Sequence, residues 1–325
     1  MSNAIRIHQY GGPEVLQWEK IDIGKPGPGE VRLRQSAVGL NYIDIYHRTG
    51  LYPVPRLPAV IGMEAAGIVE EIGPGVQNLN PGQRVAYASL PVGAYAEERL
   101  MPADRLVSLP DAISDARAAA MMLQGMTAQY LLRRTYRVQK GHVILVHAAA
   151  GGVGSILCQW AKCLGAVVIG AVGSDEKAES AKADGCDHVI NYRRQNFSER
   201  AREITDGKGV DVVYDSVGKD TFNGSLDCLK PMGMMVSYGN ASGPVPPFDP
   251  ALLSARGSLF LTRPTLMTYT AERKDLMSGA AELFAATLAG HVKIHVNQTY
   301  PLSGAAHAHR DLEARKTTGS TVLLT

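Results

Sequence analysis

A glycine-containing turn between an apolar run and a helix-type segment is the feature of this chain that points most directly to chemistry. It lies in the stretch HAAAGGVGSILCQWAKCLGA, from His147 to Ala166. Phosphate-binding turns of dinucleotide-binding domains place glycines in the order G-x-G-x-x-G. In that register the second and third glycines are Gly151 and Gly154, whereas the first position holds Ala149. The turn is therefore one glycine short of the expected pattern.

The surroundings of this turn nevertheless favour dinucleotide binding. The run VILVHA before it is apolar, which is typical of a strand buried on both faces. Gly151 lets the backbone approach a pyrophosphate, Gly154 lets helix and strand pack closely, and the helix N-terminus offers N–H groups to phosphates. The apolar residues after the turn recur with helical spacing at Val153, Ile156, Leu157, Trp160, Ala161 and Leu164. We predict a phosphate-binding turn comprising Ala150, Gly151, Gly152, Val153 and Gly154.

The end of the second strand decides which dinucleotide is bound. NAD sites carry a carboxylate there, ~20 residues past the turn, which binds the ribose 2′-hydroxyl. In this chain the position reads Gly173-Ser174, and Lys177 follows one helical turn later. A small residue, a hydroxyl and an ammonium group accommodate a 2′-phosphate, so the sequence favours NADPH. NADH stays open because Asp175 stands just beyond Ser174, and because Lys177 is alternatively an ordinary solvated helix lysine.

Residues after the later strands complete the candidate coenzyme site, because ligands of open α/β sheets bind at the carboxyl ends of the strands. Two further residues, Tyr192 and Arg315, are candidate walls of the phosphate pocket. The strand-end candidates are Ser216, Val217, Tyr238, Gly239, Asn240, Leu261 and Arg263.

The order of strands and helices divides the chain into two kinds of structure. From Ile5 to about Leu109, short strand-like runs are separated by Gly and Pro, which is typical of an irregular antiparallel β domain. Beyond VILVHA, strands and helices alternate, and repeated βαβ units indicate a parallel, doubly wound sheet. We predict a first domain over 1–124, a dinucleotide-binding domain over 125–264, and a segment 265–325 that completes the first domain. That segment begins with a helix from about Arg273 to Ala289.

Composition excludes several classes of protein. The chain has 325 residues, 33 Lys and Arg against 31 Asp and Glu, and a formal net charge of +2, which is too small to favour nucleic acid or an anionic membrane as partner. No apolar run reaches the ~20 residues of a membrane span, and no secretory signal is visible. The four cysteines have neither C-x-x-C spacing nor a disulfide pattern, which indicates a reduced, cytoplasmic protein.

Several motifs together resemble a known family. GHVILVHAAAGGVGSILCQWAK matches the quinone oxidoreductase pattern, and HQYGGPEVLQ, GLNYIDIYHRTGLYP, GMEAAGIVEEIGPGV and VYDSVGKDT are similar to that family too. The chain resembles the NADPH:quinone oxidoreductases of the zeta-crystallin type, within the medium-chain dehydrogenase/reductase superfamily. The resemblance implies a GroES-like catalytic domain, a Rossmann domain, and a cleft between them for nicotinamide and substrate.

The resemblance also implies roles for individual residues. Asn41 would bind near the nicotinamide and the acceptor oxygen, Tyr46 and Tyr52 would flank a flat acceptor or donate to its oxygen, and Thr127 would lie near the nicotinamide amide. Outside the family these residues have ordinary alternatives, as a turn asparagine, packing tyrosines and a helix threonine. We assign no catalytic histidine, since His147 is predicted at a strand end and His307 and His309 on the surface.

Zinc ligands are missing from the positions where zinc alcohol dehydrogenases of this superfamily carry them. Asn41 stands in place of a cysteine and Met63 in place of a histidine, and an amide and a thioether do not replace thiolate and imidazole on zinc. We therefore predict a metal-free enzyme. Without a Lewis acid, alcohol oxidation is disfavoured, whereas a quinone or a conjugated enone is already electrophilic.

The predicted function is reduction of quinones by NADPH through direct hydride transfer. The alternatives are reduction of the C=C bond of 2-alkenals and enones and, in a different class, a crystallin-like or single-stranded RNA-binding protein. The resemblance implies a homodimer joined through the edges of the Rossmann sheets, with Ser258 to Thr262 as the edge. The same run is alternatively a terminal strand that its own chain covers.

Overall fold

The structure is a computed structural model that describes residues 1–325 as two compact units. The first unit contains Met1–Met126, Thr270–Phe284 and Ile294–Thr325, and the second contains Thr127–Tyr269 and Ala285–Lys293. The predicted domain limits at 124/125 and 264/265 stay predictions, since these units change at 126/127 and 269/270. No helix is long and apolar enough to cross a membrane.

Sixteen strands and eleven α-helices make up the two units. The strands are β1 (Ser2–Ile7), β2 (Gln17–Ile21), β3 (Glu30–Leu40), β4 (Ala59–Val60), β5 (Glu64–Ile72), β6 (Arg84–Ala88), β7 (Glu98–Pro102), β8 (Val107–Ser108), β9 (Val143–His147), β10 (Val167–Val172), β11 (His188–Asn191), β12 (Val210–Asp215), β13 (Leu229–Ser237), β14 (Phe260–Thr262), β15 (Val296–Pro301) and β16 (Ser320–Leu324). The helices are α1 (Tyr42–Thr49), α2 (Asp115–Ala119), α3 (Met122–Tyr130), α4 (Gly152–Cys163), α5 (Asp175–Ala183), α6 (Phe197–Ile204), α7 (Phe222–Cys228), α8 (Ala251–Ala255), α9 (Leu266–Tyr269), α10 (Arg273–Leu288) and α11 (Ala305–Glu313).

The first unit is built mainly from antiparallel strands. Its larger sheet has the order β15-β16-β3-β5-β6-β8, with β7 also paired to β3, and its smaller sheet has the order β2-β1-β4. Strand β3 alternates buried and exposed side chains along its first half, as a strand with one face on a core should. The C-terminal strand β16 pairs with β3, and Leu323 lies in the same apolar core as Ile5, Val31 and Val85.

The second unit is a parallel sheet with helices between its strands. The strand order is β11-β10-β9-β12-β13-β14, and every pairing within it is parallel. Strands β9, β10 and β12 are almost entirely buried, which explains why their sequences are apolar on both faces. The predicted fold class, a GroES-like β domain with a Rossmann-type doubly wound sheet, is confirmed.

Helix α4 shows how the sequence pattern produces the second unit. Every residue from Gly154 to Ala161 is buried, so the helix is enclosed on all sides there, and only the ends of the predicted apolar stripe, Val153 and Leu164, are partly exposed. The helix ends at Leu164, and Gly165 follows with a left-handed φ of 82°. The predicted helix starting at Arg273 is confirmed too, since α10 covers Arg273–Leu288.

Candidate functional site

In the turn between β9 and α4, the residue with a left-handed backbone is Ala148. It stands one position before Ala149, where the G-x-G-x-x-G pattern expects its first glycine. Ala148 takes a left-handed φ of 52°, and its carbonyl accepts a 2.8 Å hydrogen bond from Gly151 N–H. Ala149 is fully buried and keeps an ordinary negative φ. Because the reversal happens at Ala148, position 149 does not need glycine, and alanine fits there.

Gly154 is needed because backbone approaches it closely. A Cβ at this position would stand 2.2 Å from the Ala148 carbonyl oxygen and 2.9 Å from the Ala149 Cα. Gly151 is extended and supplies no side chain to cap α4, so the first N–H groups of the helix stay directed at the turn. Open N–H groups at the positive end of a helix dipole, beside a turn without bulky side chains, fit a pyrophosphate.

The two residues after β10, Gly173 and Ser174, carry no carboxylate, and the Tyr192 phenol lies against Gly173. A Cβ at Gly173 would lie 2.5 Å from the Tyr192 hydroxyl oxygen, so the phenol occupies the place of a side chain at 173. The Ser174 hydroxyl accepts a hydrogen bond of 3.2 Å from Lys177 N–H and thereby caps α5. The structure brings Gly173, Ser174, Lys177 and Tyr192 to one corner of the second unit.

The loops after β12 and β13 are held together around Asp215, a residue that the sequence reasoning missed. Its fully buried carboxylate accepts hydrogen bonds from Val217 N–H at 2.7 Å, Gly218 N–H at 3.0 Å and two hydroxyls. A Cβ at Gly239 would stand 2.4 Å from the Ser216 carbonyl oxygen, so the two loops pack closely. An acidic residue at the last position of an apolar strand was the available signal.

The other residues that the sequence predicted to bind the coenzyme are distributed over several strands, helices and loops. Leu261 is in the edge strand β14, and the Arg263 guanidinium donates to the Ser237 carbonyl at 3.0 Å. Thr127 is a buried residue of α3. Arg315 follows α11 in the first unit and has a left-handed φ of 59°. The remaining candidates lie in the turn at the start of α4 or in the loops just described: Ala150, Gly152, Val153, Tyr238 and Asn240.

Asn41, in the first unit, belongs to a buried chain of hydrogen bonds. Its amide nitrogen donates to the Glu64 carboxylate at 2.6 Å, and its amide oxygen accepts from Gln124 at 3.1 Å. The Gln124 oxygen in turn accepts from the Ser320 hydroxyl at 2.6 Å. We call Asn41, Glu64, Gln124 and Ser320 the amide network. It fixes which way the Asn41 amide faces, and no sequence pattern pointed to Gln124 or Ser320.

Two buried carboxyl groups lie against Asn41. Glu64 also accepts from Leu123 N–H at 2.7 Å, and Asp44 accepts from Asn41 N–H at 2.9 Å and from the Tyr95 hydroxyl at 3.1 Å. Burial raises the pKa of Glu64 to about 8 and the pKa of Asp44 to about 7. Near pH 7 Glu64 is therefore mostly protonated and Asp44 about half protonated, which lowers the cost of burying them without a cation.

The predicted surface position of His309 is wrong. Its side chain is fully buried, with Nε2 2.9 Å from the Tyr95 hydroxyl and Nδ1 3.2 Å from the Arg48 guanidinium, and burial lowers its pKa to about 3. Arg48, also buried, forms two hydrogen bonds with Glu313. The sequence of α11 did not show that His309 is buried, because its partner Arg48 lies 261 residues away in the chain. His147 ends β9 and His307 is exposed, as predicted.

The two tyrosines predicted to flank the acceptor contact each other. The rings of Tyr46 and Tyr52 meet edge to face with centroids 5.1 Å apart, and Tyr42 lies 6.1 Å from Tyr46. Tyr46 is buried and Tyr52 is half-buried. The two rings, inclined by 68°, form an angled aromatic surface at α1, the helix that Asn41 caps.

No group of three or more His, Cys, Asp or Glu side chains is placed to hold a metal ion. Met63, at the position of a zinc-ligating histidine, is buried with 1% of its surface exposed. The residues at these positions are amide and thioether groups, which zinc does not select.

Comparison with known proteins identifies the family. Residues 27–111 match the alcohol dehydrogenase GroES-like domain, and residues 152–285 match the family described as zinc-binding dehydrogenase. The chain is 52% identical to a quinone oxidoreductase of Pseudomonas aeruginosa over 100% of both chains, and 50% identical to a 2-haloacrylate reductase of Burkholderia over 100% of this chain and 99% of that protein. The crystal structure of Escherichia coli quinone oxidoreductase complexed with NADPH is 48% identical, with a TM-score of 0.98 over 99% of this chain and 100% of that one. The chain belongs to the quinone oxidoreductases of the medium-chain dehydrogenase/reductase superfamily.

Proposed function

We propose that this chain is an NADPH:quinone oxidoreductase that transfers hydride directly and without a metal ion. The observation that carries the proposal is the end of β10, where Gly173 and the Tyr192 phenol replace a ribose-binding carboxylate beside the open N-terminus of α4. The Escherichia coli relative was crystallised with NADPH, which supports the same coenzyme for this chain.

Different residues of the second unit fit the pyrophosphate and the 2′-phosphate of the coenzyme. The α4 N-terminus, opened by Gly151 and Gly154, binds the pyrophosphate, and the corner of Gly173, Ser174 and Lys177 binds the 2′-phosphate. Bound there, NADPH supplies the hydride that the acceptor takes up. The protein contributes chiefly by positioning, which converts a bimolecular encounter into a reaction between fixed partners.

Residues of the first unit act on the acceptor. The amide network holds the Asn41 amide in one orientation, so that its remaining N–H is the group offered to an acceptor oxygen. Tyr46 and Tyr52 flank the acceptor: one ring lies flat against it, while the other, edge to face with the first, closes the side and excludes water. The proton that completes the reduction comes from solvent or from one of these tyrosines.

A second candidate activity is reduction of the C=C bond of enones and 2-alkenals. The 2-haloacrylate reductase of Burkholderia, 50% identical over the whole chain, favours it, because a haloacrylate is a conjugated C=C substrate by its name. Both activities deliver hydride to an electrophilic acceptor and need the same positioning.

Assembly and location follow from the same family placement as proposals. Strand β14 lies at the edge of the parallel sheet with Phe260 58% exposed, so pairing of two such edges would give a homodimer and cover an apolar strand. Four free cysteines support a reducing compartment, the cytoplasm. We expect no nucleic-acid partner at physiological salt.

The test combines coenzyme titration with a panel of acceptors. Quenching of Trp160, which lies on α4, should report NADPH binding at lower concentration than NADH. Quinones should oxidise NADPH, and NADPH deuterated at the transferred position should slow that step. Turnover of alkenals but of no quinone would reject the first activity in favour of the second, and would be recognised by deuterium retained on carbon in the product.

A further inference from the structure

We propose that Arg194 determines coenzyme selectivity by pairing with Asp175 and thereby neutralising the carboxylate that directly follows Ser174 at the 2′-phosphate corner. The inference rests on the proposed function, because it concerns how that site tells a 2′-phosphorylated ribose from a plain one. Because of Asp175, the sequence alone did not exclude NADH as the coenzyme. Arg194 was not among the residues predicted from the sequence.

Both oxygens of the Asp175 carboxylate are engaged. Oδ2 pairs with the Arg194 guanidinium at 2.6 Å, and Oδ1 accepts from the Asn191 side-chain amide at 2.8 Å. Asp175 is the first residue of α5, directly after Ser174, the residue that caps the helix. The carboxylate is thus adjacent in sequence to the predicted phosphate-binding residues, yet bound to groups on another strand.

The partners of Asp175 are positioned by the sheet. Asn191 ends β11 and pairs in register with Val172, the last residue of β10. A turn follows in which Arg194 N–H donates to the Asn191 carbonyl at 2.9 Å, and this turn brings the guanidinium back towards α5. Asp175, Asn191 and Arg194 together line a cavity of about 320 Å³ between α5 and β11.

The charges at this corner explain why the pair matters. A 2′-phosphate carries almost two negative charges, so an unpaired carboxylate at position 175 would repel it, whereas a 2′-hydroxyl would be a favourable partner. With Asp175 paired to Arg194, the positive charge of Lys177 is opposed by at most one further carboxylate of this turn, Glu176, instead of two. The nearby Glu179 and Lys182 also pair, at 2.8 Å. The corner consequently favours the phosphorylated coenzyme despite its acidic residue.

The experiment measures dissociation constants for NADPH and NADH by fluorescence quenching in the full-length chain. Arg194→Gln should weaken NADPH binding by about three- to tenfold, because it leaves one uncompensated negative charge beside a bound dianion in screened water. NADH binding should change by less than about twofold, since it lacks the dianion. The double variant Asp175→Asn with Arg194→Gln should recover most of the loss, because it removes the unpaired carboxylate as well.

Two controls make the outcome specific. Arg200→Gln removes another exposed arginine of the same unit, one that pairs with Glu203 on α6, and should leave both constants unchanged. Asp175 and Arg194 have side chains 61% and 71% exposed, so their variants should fold, and circular dichroism checks this. The selectivity change should shrink as salt is added.

The results that overturn the inference are distinct from those that overturn the proposed function. Equal weakening of NADPH and NADH in Arg194→Gln, or no change, refutes a role for Arg194 in selectivity. Failure of the double variant to recover binding refutes neutralisation of Asp175 as the mechanism. A wild-type chain that binds neither coenzyme refutes the proposed function instead.

Discussion

Replacing Glu64 by glutamine should remove a pH dependence of stability that the burial of this carboxyl group creates. Burial raises the pKa of Glu64 from 4.5 to about 8, so between these values the folded chain keeps a proton that the unfolded chain has lost. The stability contributed by this group is complete below pH 4.5 and falls as the pH rises through 8. At 1.36 kcal/mol per pKa unit, the whole shift corresponds to about 5 kcal/mol.

The interval from pH 7 to 8 isolates Glu64 from the other buried groups. His47 and His309, with pKa values lowered to about 4 and about 3, change stability only below the ordinary histidine pKa of 6.5, and in the opposite direction. Asp44, with a pKa of about 7, has lost most of its effect by then. In this interval Glu64 is between about nine-tenths and one-half protonated in the folded chain, which predicts a loss of about 1 kcal/mol.

Urea unfolding of wild type and Glu64→Gln at pH 7.0, 7.5 and 8.0 tests this reasoning. The glutamine oxygen satisfies only one of the two donors, Asn41 Nδ2–H and Leu123 N–H, so the variant should be less stable than wild type by about 1–3 kcal/mol at pH 7. That deficit should shrink by about 1 kcal/mol at pH 8. Glu70→Gln, an exposed residue of the same strand paired with Arg34, is the matched control and should keep the wild-type slope. Parallel curves for wild type and Glu64→Gln would refute a protonated Glu64.

Three further outcomes follow from other parts of the structure. Gly154→Ala places a methyl group 2.2 Å from the Ala148 carbonyl oxygen, so it should displace α4 and weaken NADPH binding by about tenfold or more in a fluorescence titration; unchanged affinity would contradict the close approach. Arg48→Leu removes the partner of Glu313 and of His309, and should lower the free energy of unfolding by about 3 kcal/mol in urea; a more stable variant would show that the ion pair is not a net contribution. Dialysis against a chelator should leave quinone turnover unchanged, because Asn41 and Met63 offer no zinc ligands; a loss that added zinc restores would contradict metal-free chemistry.

The sequence predicted those features that depend on local pattern. The apolar stripe of α4, the buried strands β9 and β12, and the order of β and α elements repeat at periods that a single stretch of chain displays. Gly154 was identified because a helix that starts directly after a buried strand has to pass close to it. The position of the strain was not foreseen: the left-handed residue is Ala148, and nothing in the residue type of alanine marks that conformation.

The features that escaped prediction depend on contacts between distant segments. Gln124 lies 83 residues from Asn41, and Ser320 lies a further 196 residues on, in the strand β16 that pairs with β3. The Ser320 hydrogen bond therefore depends on that pairing. Asp175 and Arg194 likewise meet because β10 and β11 are neighbours in register. A sequence shows which polar and charged side chains require a hydrogen-bond or ion-pair partner, whereas the sheet topology determines which residues become those partners.

The protonation of Glu64 affects the stability of the first unit and also bears on which reaction the chain can catalyse. A carboxylate beside an amide and a thioether would be an incomplete cation site, but a pKa of about 8 keeps this group mostly neutral at pH 7, and a neutral acid does not attract a divalent ion. The interior can therefore hold Glu64 with hydrogen bonds alone. Since these residues do not form a site for a metal ion that could act as a Lewis acid, the hydride acceptor has to be electrophilic by itself. Quinones and enones meet this requirement, whereas oxidation of an alcohol is disfavoured without the metal.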